Sequence, residues 1–324
     1  MPEPLTTSEE QFTEAPSIGA RLSLAALHHV LEAHRAWLER RQGGLRASLH
    51  GVVLPDAALD NVNLERADLK SANFIDARMS GAHLSGANLQ FADLGNATLI
   101  DADLSQAQLL DTKMEGTLLA GAVLTEAQLV RSCLRGANLR QAHLLEANIE
   151  RCDFASAILR EARLLQAKVF DCNFTGADLE GANLYHSVFR CCKMPGILAA
   201  RSNWGTATVQ NCEFRRAEMI GARFDRADLR QSSFWKAALS GAHFPHARLN
   251  GASMESADLT GAHFHDAATM SANFCGANLR AAQGFTQSQL GQARTDRQTI
   301  LPDGSHGPFL LGSGAHRPCR LGFS

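Results

Sequence analysis

The sequence predicts an all-β solenoid with square coils, and three observations carry that prediction. Large apolar residues recur every five residues from Leu49 to Leu279 without losing phase, and of these 47 positions 26 are Leu, 10 Phe and 5 Met. Two residues before each sits a small residue, Ala at 34 of the 47 sites. Among those small sites Cys152, Cys172, Cys192 and Cys212 lie 20 residues apart, and Ser132, Ser232 and Thr112 continue the series.

A spacing of two places the large and the small residue on the same side of an extended segment, whereas a helix needs about 3.6. The remaining three positions are polar, with Asp or Asn common before the large residue and Gly common two after it, types that favour turns. Each pentad is then a very short strand followed by a bend, and only stacking gives it a core. The 20-residue recurrence sets four pentads per coil. At the ~4.8 Å spacing of paired strands, about 12 coils make a rod roughly 56 Å long.

In chain order, residues 1–19 read as a disordered N-terminus. In residues 20–42, ARLSLAALHHVLEAHRAWLERRQ, Leu24, Leu27, Leu31, His34 and Leu38 fall at helical spacing before Gly43 and Gly44. Residues 20–44 are therefore expected to form a helix covering the open end of the first coil. The repeat fills 45–282. Its least regular stretch, 194–210, holds Pro195, Ile197 at a small site, and Ala199 and Trp204 at large sites. That stretch is either a distorted coil in which large and small residues have changed places, or a bulge that a partner recognises. Residues 283–304 read as a short helix and closing turn, and 305–324 as a Gly- and Pro-rich mobile tail.

Composition narrows the function classes. A formal charge of −2 with 20% charged residues gives no global pull toward nucleic acid or an anionic membrane. No run of about 18 apolar residues offers a membrane span, and the acidic start is unlike a secretory leader, so the chain is expected to be cytoplasmic with reduced thiols. No GxSxG, GxxxxGK[ST], GxGxxG after a strand or HExxH occurs, so neither an enzyme nor a bound cofactor is expected. The Cys column reads as small buried residues interchangeable with Ala and Ser. Cys133 and Cys191 should face outward and Cys275 should lie at a bend, which makes these the more reactive thiols. His243, His263 and His265 with Asp266 form a weak metal candidate on one face.

Charge is polarised along the rod. Residues 47–130 carry 4 Lys and Arg against 11 Asp and Glu, and residues 131–236 carry 16 against 11. The candidate partner-binding residues are Arg131, Arg135, Arg140, Arg151, Arg160, Arg163, Arg215, Arg216, Arg223, Arg226 and Arg230, and the candidate acidic face is Asp93, Asp101 and Asp103.

The recurring motifs GANL, RADL and GADL, variants of A(D/N)LxG, resemble the pentapeptide-repeat family over residues 47–282. The resemblance implies a right-handed quadrilateral β-helix serving as a non-enzymatic scaffold that binds a protein partner through a flat face. It also admits a DNA-mimic that binds DNA gyrase and protects it against quinolones, from which the basic middle coils depart. A third possibility is an accessory to bacterial toxin secretion or surface assembly.

Overall fold

The computed structural model describes residues 19–318, so the expected disordered N-terminus lies, except for Gly19, outside the described residues, as does the end of the tail. Parallel pairings join residues 20 apart, from Ser48 with Asp68 to His263 with Gln283. The chain is a parallel β-solenoid, and its four faces can be named by their inward columns. The first runs Leu49 to Thr269, the second Leu54 to Phe274, the third Leu59 to Leu279 and the fourth Leu64 to Phe264. Only the first face is extended enough for regular strands: β1 (Gln108–Leu110), β2 (Gln128–Val130), β3 (Asn148–Glu150), β4 (Lys168–Phe170), β5 (Val188–Arg190) and β6 (Thr208–Gln210), a parallel sheet in chain order. Large and small inward residues are almost all fully buried in one continuous core.

The bends have one conformation throughout. Every corner residue from Gly51 to Ala281, two after each large residue, has φ between 53° and 70°, in the left-handed region. Most of these residues are not Gly, although left-handed backbone costs a side-chain-bearing residue on the order of 1–2 kcal/mol. The ladder bonds on both sides of each corner hold the conformation. Gly is required outright at Gly284, φ +79°, where a Cβ would lie 2.6 Å from the His265 amide nitrogen.

The Cys column has a hydrogen-bonding reason. At most corners the small residue's N–H donates back to the preceding large residue's carbonyl, as from Ala72 to Leu69 at 3.1 Å. That turn bond is not made at Thr112, Ser132, Cys152, Cys172, Cys192 or Cys212, the six sites that follow β1 to β6. Extension of the first face pulls these amides away from it. Side chains bridge the coils instead: the Cys152 N–H donates to Cys172 Sγ at 3.4 Å and the Cys212 N–H to Ser232 Oγ at 3.1 Å. The same groups donate one coil back to carbonyls of the first face, Thr112 to Leu89, Ser132 to Leu109, Cys152 to Leu129, Cys172 to Ile149, Cys192 to Val169 and Ser232 to Val209. Cys here makes the same hydrogen bonds as Ser and Thr at the equivalent sites, bonds that Ala, expected to be equivalent from its size, has no group to make. The hydrogen bond with Cys152, then burial, pushes the Cys172 thiol well above its ordinary value, and Cys192 does the same to Cys212.

The irregular stretch 194–210 is a coil in register and does not protrude. Leu198 pairs with Glu218 and Asn203 with Arg223. Ile197, Ala199 and Trp204 are all fully buried, so large and small residues have changed places. Ser202 Oγ accepts the Trp204 indole N–H at 2.8 Å and donates to the Ala199 carbonyl at 2.6 Å, which satisfies both buried polar groups. Trp204 begins a stack on the fourth face, with Phe224, Phe244, Phe264 and Phe285 at centroid spacings of 6.1, 5.1, 5.0 and 4.3 Å.

A helix packs against the core at each end. Helix α1 (Leu24–Leu38) starts at Ser23, whose hydroxyl accepts the Ala26 N–H at 3.1 Å. It buries Ala26, Leu27 and His34, while Leu24 is 87% exposed, contrary to the inward position its spacing suggests. Helical spacing defines a face but not where along it the core begins, and α1 meets the core from Ala26 onward. Residues before α1 pair the free edge, with Val53 N–H donating to the Ala20 carbonyl at 3.0 Å. His34 Nδ1 accepts the Ala47 N–H at 3.0 Å, and burial lowers the pKa of this ring. Helix α2 (Gln287–Gln292) carries a capping box of Thr286 and Gln289, and Gln289 Nε2 also donates to the Ala267 carbonyl at 2.8 Å. Pairing continues beyond it, Asn273 with Arg294 and Asn278 with Ile300. Phe309, in the described part of the tail, packs against the core. Among the described residues no helix is long and apolar enough to cross a membrane.

Candidate partner-binding surface

The coil geometry decides which polar side chains can meet, because outward residues have neighbours within their own pentad and about 20 positions away, whereas residues of successive pentads lie on different faces. The eleven arginines consequently spread over all four faces. Six are held by carboxylates: Arg131 by Asp111, Arg135 by Asp153, Arg151 by Glu150, Arg160 by Asp178 and Glu180, Arg223 by Asp225, and Arg230 by Asp228. The Arg131 guanidinium holds the Asp111 carboxyl below its ordinary range. In these pairs the carboxylate already occupies guanidinium N–H donors that a partner would otherwise have to fill. Among the described residues Arg140, Arg163, Arg215, Arg216 and Arg226 have no carboxylate at ion-pair distance.

Two of those five converge. On the second face the backbone ladder stacks Pro195, Arg215, Trp235 and Glu255 in successive coils, through N–H to carbonyl bonds from Gly196 to Arg215 at 2.8 Å, Arg216 to Trp235 at 2.8 Å and Lys236 to Glu255 at 3.0 Å. Arg215, Arg216 and Lys236 place their charges 5.1, 5.5 and 4.5 Å from the Trp235 ring centroid. Their ladder neighbours Pro195 and Gly196 offer no carboxylate, so the cations gather on the indole. Two shallow grooves meet there, one lined by Glu213, Arg215, Ser233, Trp235, Ser253 and Glu255, the other by Pro195, Gly196 and Arg216 together with Glu213, Arg215 and Trp235. Trp235 and Lys236 are absent from the sequence-derived candidates. Their signal was a Trp at an outward position 20 residues after Arg215.

The other candidates separate. Asp93 lies on the second face, in an ion pair with Lys113 at 3.3 Å, Asp101 at the corner after the third, and Asp103 on the fourth. They therefore do not form one acidic face: three consecutive pentads point three ways. His243 and His263 stack at 4.6 Å, and His246 meets Asp266 at 3.7 Å. Burial, then the neighbouring His243 and His265, lowers the pKa of His263. Among the described residues no group of three or more His, Cys, Asp or Glu is placed to hold a metal ion. Burial raises the thiol pKa values of Cys133 and Cys275, which opposes the reactivity expected of them, and Cys191 is exposed.

Family models of pentapeptide repeats match residues 47–168 in overlapping copies and 170–197, and a model of a pentapeptide repeat region matches residues 207–284. Comparison with curated proteins found no match. Similar solved structures include HetL, a pentapeptide repeat protein involved in heterocyst differentiation regulation from the cyanobacterium Nostoc sp. strain PCC 7120. It is 23% identical with a TM-score of 0.23, over 88% of this chain and 100% of that one. Rfr23, a pentapeptide repeat protein from the cyanobacterium Cyanothece 51142, is 26% identical with a TM-score of 0.33, over 42% of this chain and 100% of that one. QnrB1, a plasmid-mediated fluoroquinolone resistance protein, is 17% identical with a TM-score of 0.22, over 77% of this chain and 92% of that one.

Proposed function

The chain belongs to the pentapeptide-repeat family, and from that premise we propose that it is a non-enzymatic scaffold that binds a protein partner through the second face of the solenoid, around Trp235. The observation that carries this reading is the gathering of Arg215, Arg216 and Lys236 on one outward-facing indole. Trp and Arg are the residues that most often dominate binding energy at protein interfaces. A solenoid coil bonded to its neighbours on both sides also presents them with little ordering left to do on association. The test is capture of partners by the purified protein and by its Trp235→Ala variant, at low and high salt, with the retained proteins identified. A specific partner retained by the wild type and lost with Trp235→Ala supports the reading. Capture that is unchanged in the variant overturns it.

The second reading, a DNA-mimic acting on gyrase, draws on the acidic balance of residues 47–130. Dispersal of Asp93, Asp101 and Asp103 over three sides weighs against it, as does the Lys113 pair on Asp93. It predicts that the protein alters gyrase supercoiling in a purified assay, and that Asp101→Lys with Asp103→Lys abolishes the effect.

A further inference from the structure

We infer that the site around Trp235 receives a short acidic segment of the partner, with one or two carboxylates seated between Arg215, Arg216 and Lys236. This rests on the scaffold reading above and adds the chemistry of what is bound. Elsewhere on the rod a ladder neighbour commonly supplies the carboxylate that an arginine needs, as Asp111 does for Arg131. Arg215 and Arg216 lie between Pro195 and Gly196 in one coil and Trp235 and Lys236 in the next, so the ladder supplies none. Their guanidinium groups rest on an indole face, which fills no N–H donor and leaves the planar fork free for a carboxylate.

The rim limits the length of the occupant. Glu213, two residues before Arg215 in the same coil, and Glu255, one coil beyond Trp235, both line the groove and place a carboxylate beside the cations and another past them along the rod. A polyanion running along the face, such as a nucleic acid backbone, would bring its next charges against these carboxylates, whereas a segment with neutral or basic residues beside its carboxylates would not. The indole supplies the apolar floor that an acidic side chain's methylenes, or an adjacent apolar residue, can cover. Salt dependence should be moderate, because only one or two ion pairs form.

The test uses three fluorescently labelled probes and the full-length protein, read by anisotropy. They are a peptide with two adjacent Glu residues flanked by Gly and Leu, the same peptide with Gln for Glu, and a single-stranded oligonucleotide of similar length. The Glu peptide should bind at least tenfold more tightly than the Gln peptide. Arg215→Glu with Arg216→Glu should remove that preference while leaving the circular dichroism spectrum and melting midpoint close to wild type. Equal binding of the two peptides, or a preference that survives the double charge reversal, would overturn the inference, and so would tighter binding of the oligonucleotide. If a partner captured through Trp235 is known and an excess of Glu peptide fails to displace it, the acidic-segment inference falls while the scaffold reading stands.

Discussion

Replacing Cys172 by Ala separates two accounts of the Cys column by sign. If the thiol acts as a small apolar filler, Ala should be the milder change and Ser, with a hydroxyl to bury, the harsher. The hydrogen bonds predict the reverse order. Cys172 Sγ accepts the Cys152 N–H at 3.4 Å, and Sγ approaches the Phe170 carbonyl at 3.2 Å and the Ile149 carbonyl at 3.6 Å. Ala would leave the Cys152 amide buried without a partner, at a cost of about 1–3 kcal/mol. The missing sulfur adds a cavity term on the order of 1 kcal/mol. Ser retains both donor and acceptor, as Ser232 does for the Cys212 amide at 3.1 Å, and should cost about 1 kcal/mol or less. Urea unfolding midpoints by circular dichroism, for wild type, Cys172→Ser and Cys172→Ala, should fall in that order. Hydrogen exchange at the Cys152 amide should accelerate only in the Ala variant. An Ala variant as stable as the Ser variant, with the Cys152 amide still protected, would refute the reasoning.

Further outcomes follow from the same packing. Ala142 is fully buried mid-rod, so the added methylenes of Ala142→Leu should overpack the coil at a cost of about 1–3 kcal/mol, while Gln141→Asn at the adjacent exposed corner should stay within about 0.5 kcal/mol; equal melting midpoints would contradict the inward assignment. Gly284→Ala should lower the melting midpoint more than Gly136→Ala. Both sites have positive φ, but the new Cβ meets backbone of His265 in the first and nothing within 4 Å in the second. The N-terminal cap should loosen in acid. Burial lowers the His34 pKa below its ordinary 6.5, an effect Arg46 reinforces and Glu65 opposes. The unfolded chain then takes up the proton first, so the contribution is complete above pH 6.5 and declines as pH falls toward the native value. Melting midpoints at pH 7.5 and 5.5 should differ less in His34→Gln than in the wild type.

Much of the architecture was legible because it repeats. The two-residue offset of large and small positions identifies strands, and the 20-residue recurrence of Cys152, Cys172, Cys192 and Cys212 sets the coil. Near-identical pentads must adopt near-identical geometry, so one local rule propagates along the rod. Leu24 was misplaced because the pattern along a helix does not reveal where its docking partner begins. The bonding role of Cys172 was hidden because a side chain that is buried for its size and one that is buried for its lone pair occupy the same column.

The sequence alone therefore determined the period, the coil, the inward columns and the need for caps, all of which follow from patterns within one or two coils. The tertiary structure decided which charges survive as charges. Whether Arg131 is quenched and Arg215 is left free depends on the residue one coil away, Asp111 for the first and Pro195 or Trp235 for the second. It also decided that Asp93, Asp101 and Asp103, neighbours in the chain, face three ways. In a square coil side chains meet across the 20-residue step or within one pentad, as Arg230 meets Asp228, while those of successive pentads are turned apart.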